Sequence, residues 1–157
     1  MKQIRVGSWT IEVDVHQTKE FYNAYHLITE DCPCDYCANY VVACETLSRE
    51  IKELFQLLGI DPHKEGEVSE YMENEDGTHL YDAFYHLVGR IVEEPNDSAP
   101  HKTEDEFSSL HEHEIHIAFS NDLALVPEGF PKPIIQLEIQ LNLPWLVNQQ
   151  DKEENSP

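Results

Sequence analysis

Apolar residues at every second position predict β-strands in several parts of this chain. In "IIQLEIQLNL", residues 134–143, the odd-numbered positions are all Ile or Leu, and the even-numbered positions after the first are polar. A similar alternation occurs in "WTIEVDV", residues 9–15, and in "HEIHIAFS", residues 113–120. Because successive side chains of a strand point to opposite faces, each segment is expected to form a strand with one buried face.

A β-hairpin is predicted over residues 67–94. The turn is expected at "EDG", residues 75–77, and the second strand over about residues 80–92. Gly89 within that strand indicates a bulge or the close approach of another backbone, because glycine has no side chain. A further short strand is expected within residues 123–133, before a proline-rich turn.

Spacings of three and four between apolar residues indicate a helix in the second quarter of the chain. The apolar stripe comprises Cys37, Tyr40, Val41, Cys44, Leu47, Ile51, Leu54, Phe55 and Leu58. It predicts one long amphipathic helix over about residues 35–58. Gly59 is expected to end this helix in a left-handed conformation, and Pro62 to prevent its continuation. Closer to the N-terminus, Thr18 is expected to cap a short helix over residues 19–28.

Together these elements predict one α+β domain over residues 1–147. Consecutive strands favour an antiparallel sheet of about five strands, and the long helix is expected to pack on its apolar face. Residues 94–106 are polar and contain two prolines, which is typical of a mobile loop. The last segment, residues 148–157, is expected to be a disordered acidic tail.

The net charge narrows the classes of function. There are 31 acidic and 10 basic residues, so the formal net charge is −21. Such a surface repels phosphate groups, and nucleic-acid binding is not expected. The sequence contains neither a membrane-length apolar run nor an N-terminal signal pattern, so we expect a cytoplasmic protein. The charge favours solubility and a basic protein partner that is attracted electrostatically. Because no catalytic motif occurs, our leading expectation is a non-enzymatic binding protein.

All four cysteines lie in "CPCDYCANYVVAC", residues 32–44. Thiols of a cytoplasmic protein stay reduced, so a disulfide framework is not expected. On a helix, Cys44 would lie about 10 Å along the axis from Cys37, too far for one metal ion to bind both. We therefore expect Cys32, Cys34 and Cys37 to converge at the start of the helix, and Cys44 to be buried further along it.

Three interpretations of the converging cysteines stay open. Three thiolates could bind zinc, with a remote histidine such as His111 or His113, or a water molecule, as the fourth ligand. Cys34 and Cys37 form a C-x-x-C pair at a helix N-terminus, which is typical of thiol redox sites. The acidic residues around this pair disfavour a thiolate and favour a bound cation. In the third interpretation the cysteines simply pack as small apolar side chains.

Histidines and tyrosines of the predicted hairpin offer a second candidate site. His79, Tyr81, Tyr85 and His86 occur within eight positions of one strand. They could line the pocket of a small enzyme, or they could border the sheet without a chemical role. A metal at the cysteines is the other feature on which a small enzyme could be based. Carboxylates are too numerous for one acid–base pair to stand out. The sequence establishes no cofactor, and zinc is the candidate that it suggests.

Several motifs together resemble a family of bacterial proteins of unknown function. In that family a C-x-C-x-x-C-x-N element precedes a helix that closes at Leu-Gly-Val/Ile-Asp. An aromatic strand with a glycine and a late Leu-Pro-Trp follow. The matching positions are Cys32, Cys34, Cys37, Asn39, Gly59, Asp61, Tyr81, Gly89, Pro144 and Trp145. The resemblance spans most of the chain and implies a single bacterial, cytoplasmic domain, without implying an activity.

Overall fold

A computed structural model describes residues 1–64, 67–95 and 116–147 of the protein. Within these ranges six strands form an antiparallel sheet in the order β1-β2-β4-β6-β5, and β3 also pairs with β4. The strands are β1 (Lys2–Val6), β2 (Trp9–Val13), β3 (Glu67–Glu73), β4 (His79–Glu93), β5 (His116–Ser120) and β6 (Ile134–Leu143). The predicted α+β class and the antiparallel sheet are therefore confirmed, with one strand more than the expected five.

The additional strand comes from a hairpin at the N-terminus. β1 and β2 pair through a tight turn in which Gly7 has a positive φ of 58°. β2 ends before residue 15 because Asp14 caps the first helix, α1 (Val15–Ala24), by accepting a hydrogen bond from the Gln17 N–H. The expected cap at Thr18 was wrong, since Thr18 lies within α1 and donates its hydroxyl to the Asp14 carbonyl.

The predicted long helix is wrong, because two helices and an irregular break replace it. The helical segments after α1 are α2 (Ile28–Asp31), α3 (Asp35–Ala43), a 3-10 turn (Cys44–Thr46) and α4 (Arg49–Leu58). The break has a local cause: Leu47 and Ser48 are extended, and the Ser48 hydroxyl accepts the Ile51 N–H and starts α4. Gly59 does end α4 with a positive φ of 80°, as expected.

Strand β4 is hydrogen-bonded along both edges. One edge pairs with β6 from His79 to Val88. The other edge pairs with β3 and, beyond Gly89, with β2. Between those two partners α1 takes over: the Thr18 hydroxyl accepts the Val88 N–H, and the Tyr22 hydroxyl both donates to the His86 carbonyl and accepts the His86 N–H. Two side chains thus replace a strand at this point, and they fix α1 against the sheet.

The two faces of the sheet differ in burial. Odd-numbered residues of β4 and β6 between 81 and 87, and between 135 and 143, are buried beneath the helices. Even-numbered residues of the same strands are mostly half-buried; His86, Val88 and Gln136 are buried, and Arg90 and Val92 are exposed. The alternation predicted for residues 134–143 is confirmed. The short strand expected within residues 123–133 is not formed, since that described segment consists of turns and bends.

Some sequence predictions concern residues outside the described ranges. These are the mobile loop beyond residue 95, the first part of the strand over residues 113–120, and the tail over residues 148–157. Among the described residues, no helix is both long enough and apolar enough to cross a membrane.

Close backbone contact at Gly89 yields a stability prediction. A Cβ atom added to Gly89 would overlap the carbonyl oxygen of Glu12 in the neighbouring strand. We expect Gly89→Ala to lower the free energy of unfolding by about 3 kcal/mol, because two paired backbones would have to separate. Gly77→Ala is the control: Gly77 has a positive φ of 89° but no atom near its added Cβ, so strain of about 1 kcal/mol is expected. Equal losses in urea unfolding would contradict the close contact.

The loop after α4 contains a histidine between two carboxylates. His63 lies 2.8 Å from Asp61 through Nδ1 and 3.3 Å from Glu45 through Nε2. The hydrogen bond to Asp61 raises the pKa of His63 and outweighs the opposing effect of burial, and the charges of Asp61 and Glu45 act in the same direction. Protonated His63 therefore stabilises the folded state by linking the loop to the 3-10 turn.

This linkage predicts a pH dependence of stability. Because the pKa of His63 is raised on folding, its contribution is complete below the unfolded value of about 6.5 and is lost as the pH rises through the folded value. We expect the difference in melting temperature between the wild type and His63→Gln to shrink as the pH rises above about 6.5, because the pKa of His63 is raised in the folded state. In an Asp61→Asn background the trend should be weaker. A difference that grows with pH would contradict the assigned pairing.

Candidate functional site

Three of the four cysteines converge where α2 meets α3. The Sγ atoms of Cys32, Cys34 and Cys37 all lie within 4.8 Å of one another, and Cys32 donates its thiol proton to Cys34 at 3.2 Å. α2 ends at Cys32, Pro33 follows, and α3 begins after Cys34, so the chain folds back within three residues. Cys32 and Cys34 are exposed and Cys37 is buried. The predicted convergence of these thiols is confirmed.

Cys34 caps helix α3. Its sulfur accepts the backbone N–H of Cys37 at 3.4 Å. Burial acts to raise the pKa of Cys34, but the hydrogen bonds from the Cys37 N–H, the Cys32 and Cys37 thiols and the Tyr36 N–H together lower it. At Cys37 burial dominates and raises the pKa, and the neighbouring thiols act in the same direction. The two thiols of the C-x-x-C pair therefore differ: the pKa of Cys34 is lowered and that of Cys37 is raised, although the acidic surroundings had indicated the opposite for Cys34.

Cys44 is separate from this cluster. It is buried at the C-terminal end of α3, with its Sγ atom 3.9 Å from the carbonyl oxygen of Pro62. Burial raises the pKa of Cys44 well above that of an ordinary thiol, and the charges of Asp61 and Glu45 add to the effect. The prediction of an inert core cysteine at this position agrees with its burial and with its exclusion from the converging group.

A buried asparagine connects α3 to the C-terminal end of the described chain. Asn39 Nδ2 donates to the Pro144 carbonyl at 3.1 Å and to the Tyr81 hydroxyl at 3.3 Å. Asn39 Oδ1 accepts the N–H groups of Leu146 at 2.6 Å and Val147 at 3.3 Å. We call residues 144–147 the C-terminal strap. Asn39 and the Leu-Pro-Trp motif both stand out in the sequence, but no local pattern there indicates that they are in contact.

The strap also contacts the cysteine loop through Trp145. The Trp145 ring packs against the rings of Tyr36 and His79, with centroid distances of 5.6 and 4.6 Å. Tyr36 lies between Cys34 and Cys37 in sequence, and its carbonyl oxygen accepts the Tyr81 hydroxyl at 2.8 Å. Burial raises the pKa of Tyr81 to about 12, so this hydroxyl stays protonated and donates. The start of α3 is thereby held from both the sheet and the strap.

The candidate residues of the hairpin occupy two different environments. His79, Tyr81 and Tyr85 lie on the helix-facing side of β4, whereas His86 lies on the opposite side and contacts Gln136 at 3.2 Å. All four are buried. His79 Nδ1 lies 2.6 Å from a carboxylate oxygen of Glu70. The Tyr85 hydroxyl donates to the Pro62 carbonyl and contacts the Tyr40 hydroxyl, also at 2.6 Å.

A fourth ligand for a metal at the cysteines was expected from His111 or His113. Both residues lie outside the described ranges. Among residues 1–64, 67–95 and 116–147, no histidine or carboxylate joins the three thiols in an equally tight group. Three thiolates alone are enough to hold a soft metal ion and leave one position for water or another ligand.

No protein-family model, no curated protein and no solved structure matches the chain.

Thiol reactivity tests the description of the site. In metal-free native protein we expect iodoacetamide to modify Cys34 at least about tenfold faster than Cys44, because Cys34 is exposed and has a lowered pKa. Cys37 should also react slowly, since it is buried. The rates are measured by mass spectrometry of the alkylated peptides, with protein in denaturant as the control in which all four react alike. Faster modification of Cys44 would contradict the structure of α3.

Proposed function

We propose that this protein binds a thiophilic metal ion, with zinc as the first candidate, through Cys32, Cys34 and Cys37. The observation that carries the proposal is the convergence of the three sulfur atoms to within 4.8 Å of one another. With Zn–S bonds of about 2.3 Å, the sulfur ligands of a tetrahedral zinc ion lie about 3.8 Å apart. The largest separation of the three sulfurs exceeds that spacing by no more than about 1 Å.

The charges around the cluster support a cation. Zinc binds thiolates, so each ligand has to lose its proton, and the lowered pKa of Cys34 makes the first loss easier. Cys37 keeps its proton until a metal displaces it, because burial raises its pKa. The formal net charge of −21 raises the concentration of cations near the whole surface. Metal affinity should therefore rise with pH.

Three protein ligands leave one coordination position open. Cys32 and Cys34 are exposed, so this position faces solvent or a further ligand. Structural zinc sites have four protein ligands, whereas sites that act on or exchange a ligand keep one position open. The arrangement supports an exchangeable metal more than a purely structural one. His111 or His113 remains our proposed fourth ligand of the metal ion, with water as the alternative.

Metal titration with matched cysteine variants tests the proposal. We expect metal-free wild type to bind one zinc ion in competition with a chromophoric chelator, and Cys34→Ser to bind more than about 100-fold more weakly, because a direct ligand is lost. Cys44→Ala is the matched control: it should cost about 1 kcal/mol of stability through lost packing and leave zinc affinity unchanged. If the wild type binds no zinc, or if Cys44→Ala removes it, the proposal fails.

Thiol redox chemistry is a second candidate. The observation that favours it is an exposed thiol at the N-terminus of α3, Cys34, with the buried Cys37 three residues later. In that reaction the two thiols would lose two protons and two electrons to a disulfide or peroxide oxidant and form one S–S bond. Cys32→Ser distinguishes the candidates: it removes a metal ligand but leaves the Cys34–Cys37 pair able to exchange with glutathione disulfide.

A basic protein partner remains a third proposal, supported by the net charge of −21. The even-numbered face of the sheet carries half-buried carboxylates, among them Asp82 and Glu138. Affinity for such a partner should fall as salt is added, because exposed charges are screened. Capture of a partner whose binding does not depend on salt would contradict this proposal.

A further inference from the structure

We propose that Asn39 is a positioning residue of the metal site, and that metal binding and docking of the C-terminal strap stabilise each other. This inference rests on the proposed metal function. It concerns residues that do not touch the metal: Asn39 lies two positions beyond Cys37, and the strap joins the sheet at the end of β6.

The first link is between Asn39 and the strap. Both ends of the Asn39 amide are used, the oxygen by the N–H groups of Leu146 and Val147 and the nitrogen by the Pro144 carbonyl and the Tyr81 hydroxyl. Asn39 has no exposed surface. If the strap leaves, three of these four bonds are lost at once, and a buried amide is left without its partners. Docking of the strap is therefore close to all-or-none.

The second link is between the strap and the cysteine loop. Trp145 packs on the Tyr36 ring, and the Tyr36 carbonyl accepts the Tyr81 hydroxyl. The docked strap thus contacts the residue that lies between Cys34 and Cys37, and Tyr81 holds the backbone of that residue. When the strap is displaced, Tyr36 loses its ring contact and the start of α3 loses its anchor at Asn39. The three thiols then lose the alignment that a metal ion needs.

Thermodynamic linkage makes this relation reciprocal. If docking of the strap raises metal affinity by some factor, bound metal must favour docking by the same factor. The metal also resists separation of the thiols, which keeps Tyr36 in place for Trp145. Metal binding at the cysteines would therefore change the docking of residues that lie more than a hundred positions away in sequence.

Amide hydrogen exchange measures the coupling directly. In wild-type protein, zinc should slow exchange of the Leu146 and Val147 amides at least about fivefold, the lower limit of ordinary coupling between two sites. The Ile51 amide, which is held by Ser48 at the start of α4, is the control and should change much less. In Cys34→Ser the same zinc concentration should leave all three amides unchanged.

Zinc affinity gives the reciprocal measurement. Asn39→Ala should weaken zinc binding by about the factor by which zinc slows exchange at Leu146. Should Asn39→Ala fail to fold, Trp145→Ala is used in its place. Trp145→Phe keeps a ring against Tyr36 and should retain most of the affinity, which distinguishes positioning from general loss of stability.

The outcomes separate this inference from the proposed function. If wild type binds one zinc but exchange at Leu146 and Val147 is unchanged, or slows no more than at Ile51, the coupling is wrong and the metal site stands. Unaltered zinc affinity in folded Asn39→Ala and Trp145→Ala would also overturn the coupling. If wild type binds no zinc, the proposed function fails, and this inference fails with it.

Discussion

Strand β4 imposes the main constraint on this structure, because fifteen residues of largely buried backbone need hydrogen-bond partners along two edges. β6 covers one edge. On the other edge β3 and β2 each reach only part of the strand. The hydroxyls of Thr18 and Tyr22 close the interval between them. The position of α1 is thus set by unpaired backbone of the sheet as much as by apolar packing, and α4 packs in turn on α1.

The cysteine site is built in a different way, from a short loop and a remote anchor. Pro33 and two short helical segments bring three thiols together within residues 32–37. Their orientation relative to the sheet depends on Asn39, Tyr81 and the strap. In this arrangement the loop brings the exposed thiols together, and the buried amide of Asn39 holds α3 against the strap.

Local patterns predicted the local parts of the fold. Alternation over residues 134–143 predicted β6, and spacing within residues 32–37 predicted the converging thiols, because both depend only on near neighbours. The apolar stripe over residues 35–58 predicted burial correctly but continuity wrongly, since Cys44 and Ile51 are both buried on either side of the break. Ser48, a favourable helix cap just before α4, was the available signal.

Contacts between distant segments could not be predicted in this way. The bond between Asn39 and the Pro144 carbonyl joins residues 105 positions apart, and no periodicity carries that information. Asn39 is a polar residue with low helix propensity that lies within a helix next to three cysteines, and this was the only local indication of the contact. The hairpin at residues 2–13 was not predicted; it depends on a tight turn in which Gly7 has a positive φ of 58°.

The break at Ser48 has a consequence for how this sequence can change over time. α3 contacts β3 and α4 contacts α1, and both helices also reach Tyr85 of β4, α3 through Tyr40 and α4 through Phe55. A single rigid helix would transmit any shift at its C-terminal end to the cysteines. Because extended residues separate the two helices, substitutions in α4 are expected to disturb the converging cysteines less than they would in one continuous helix.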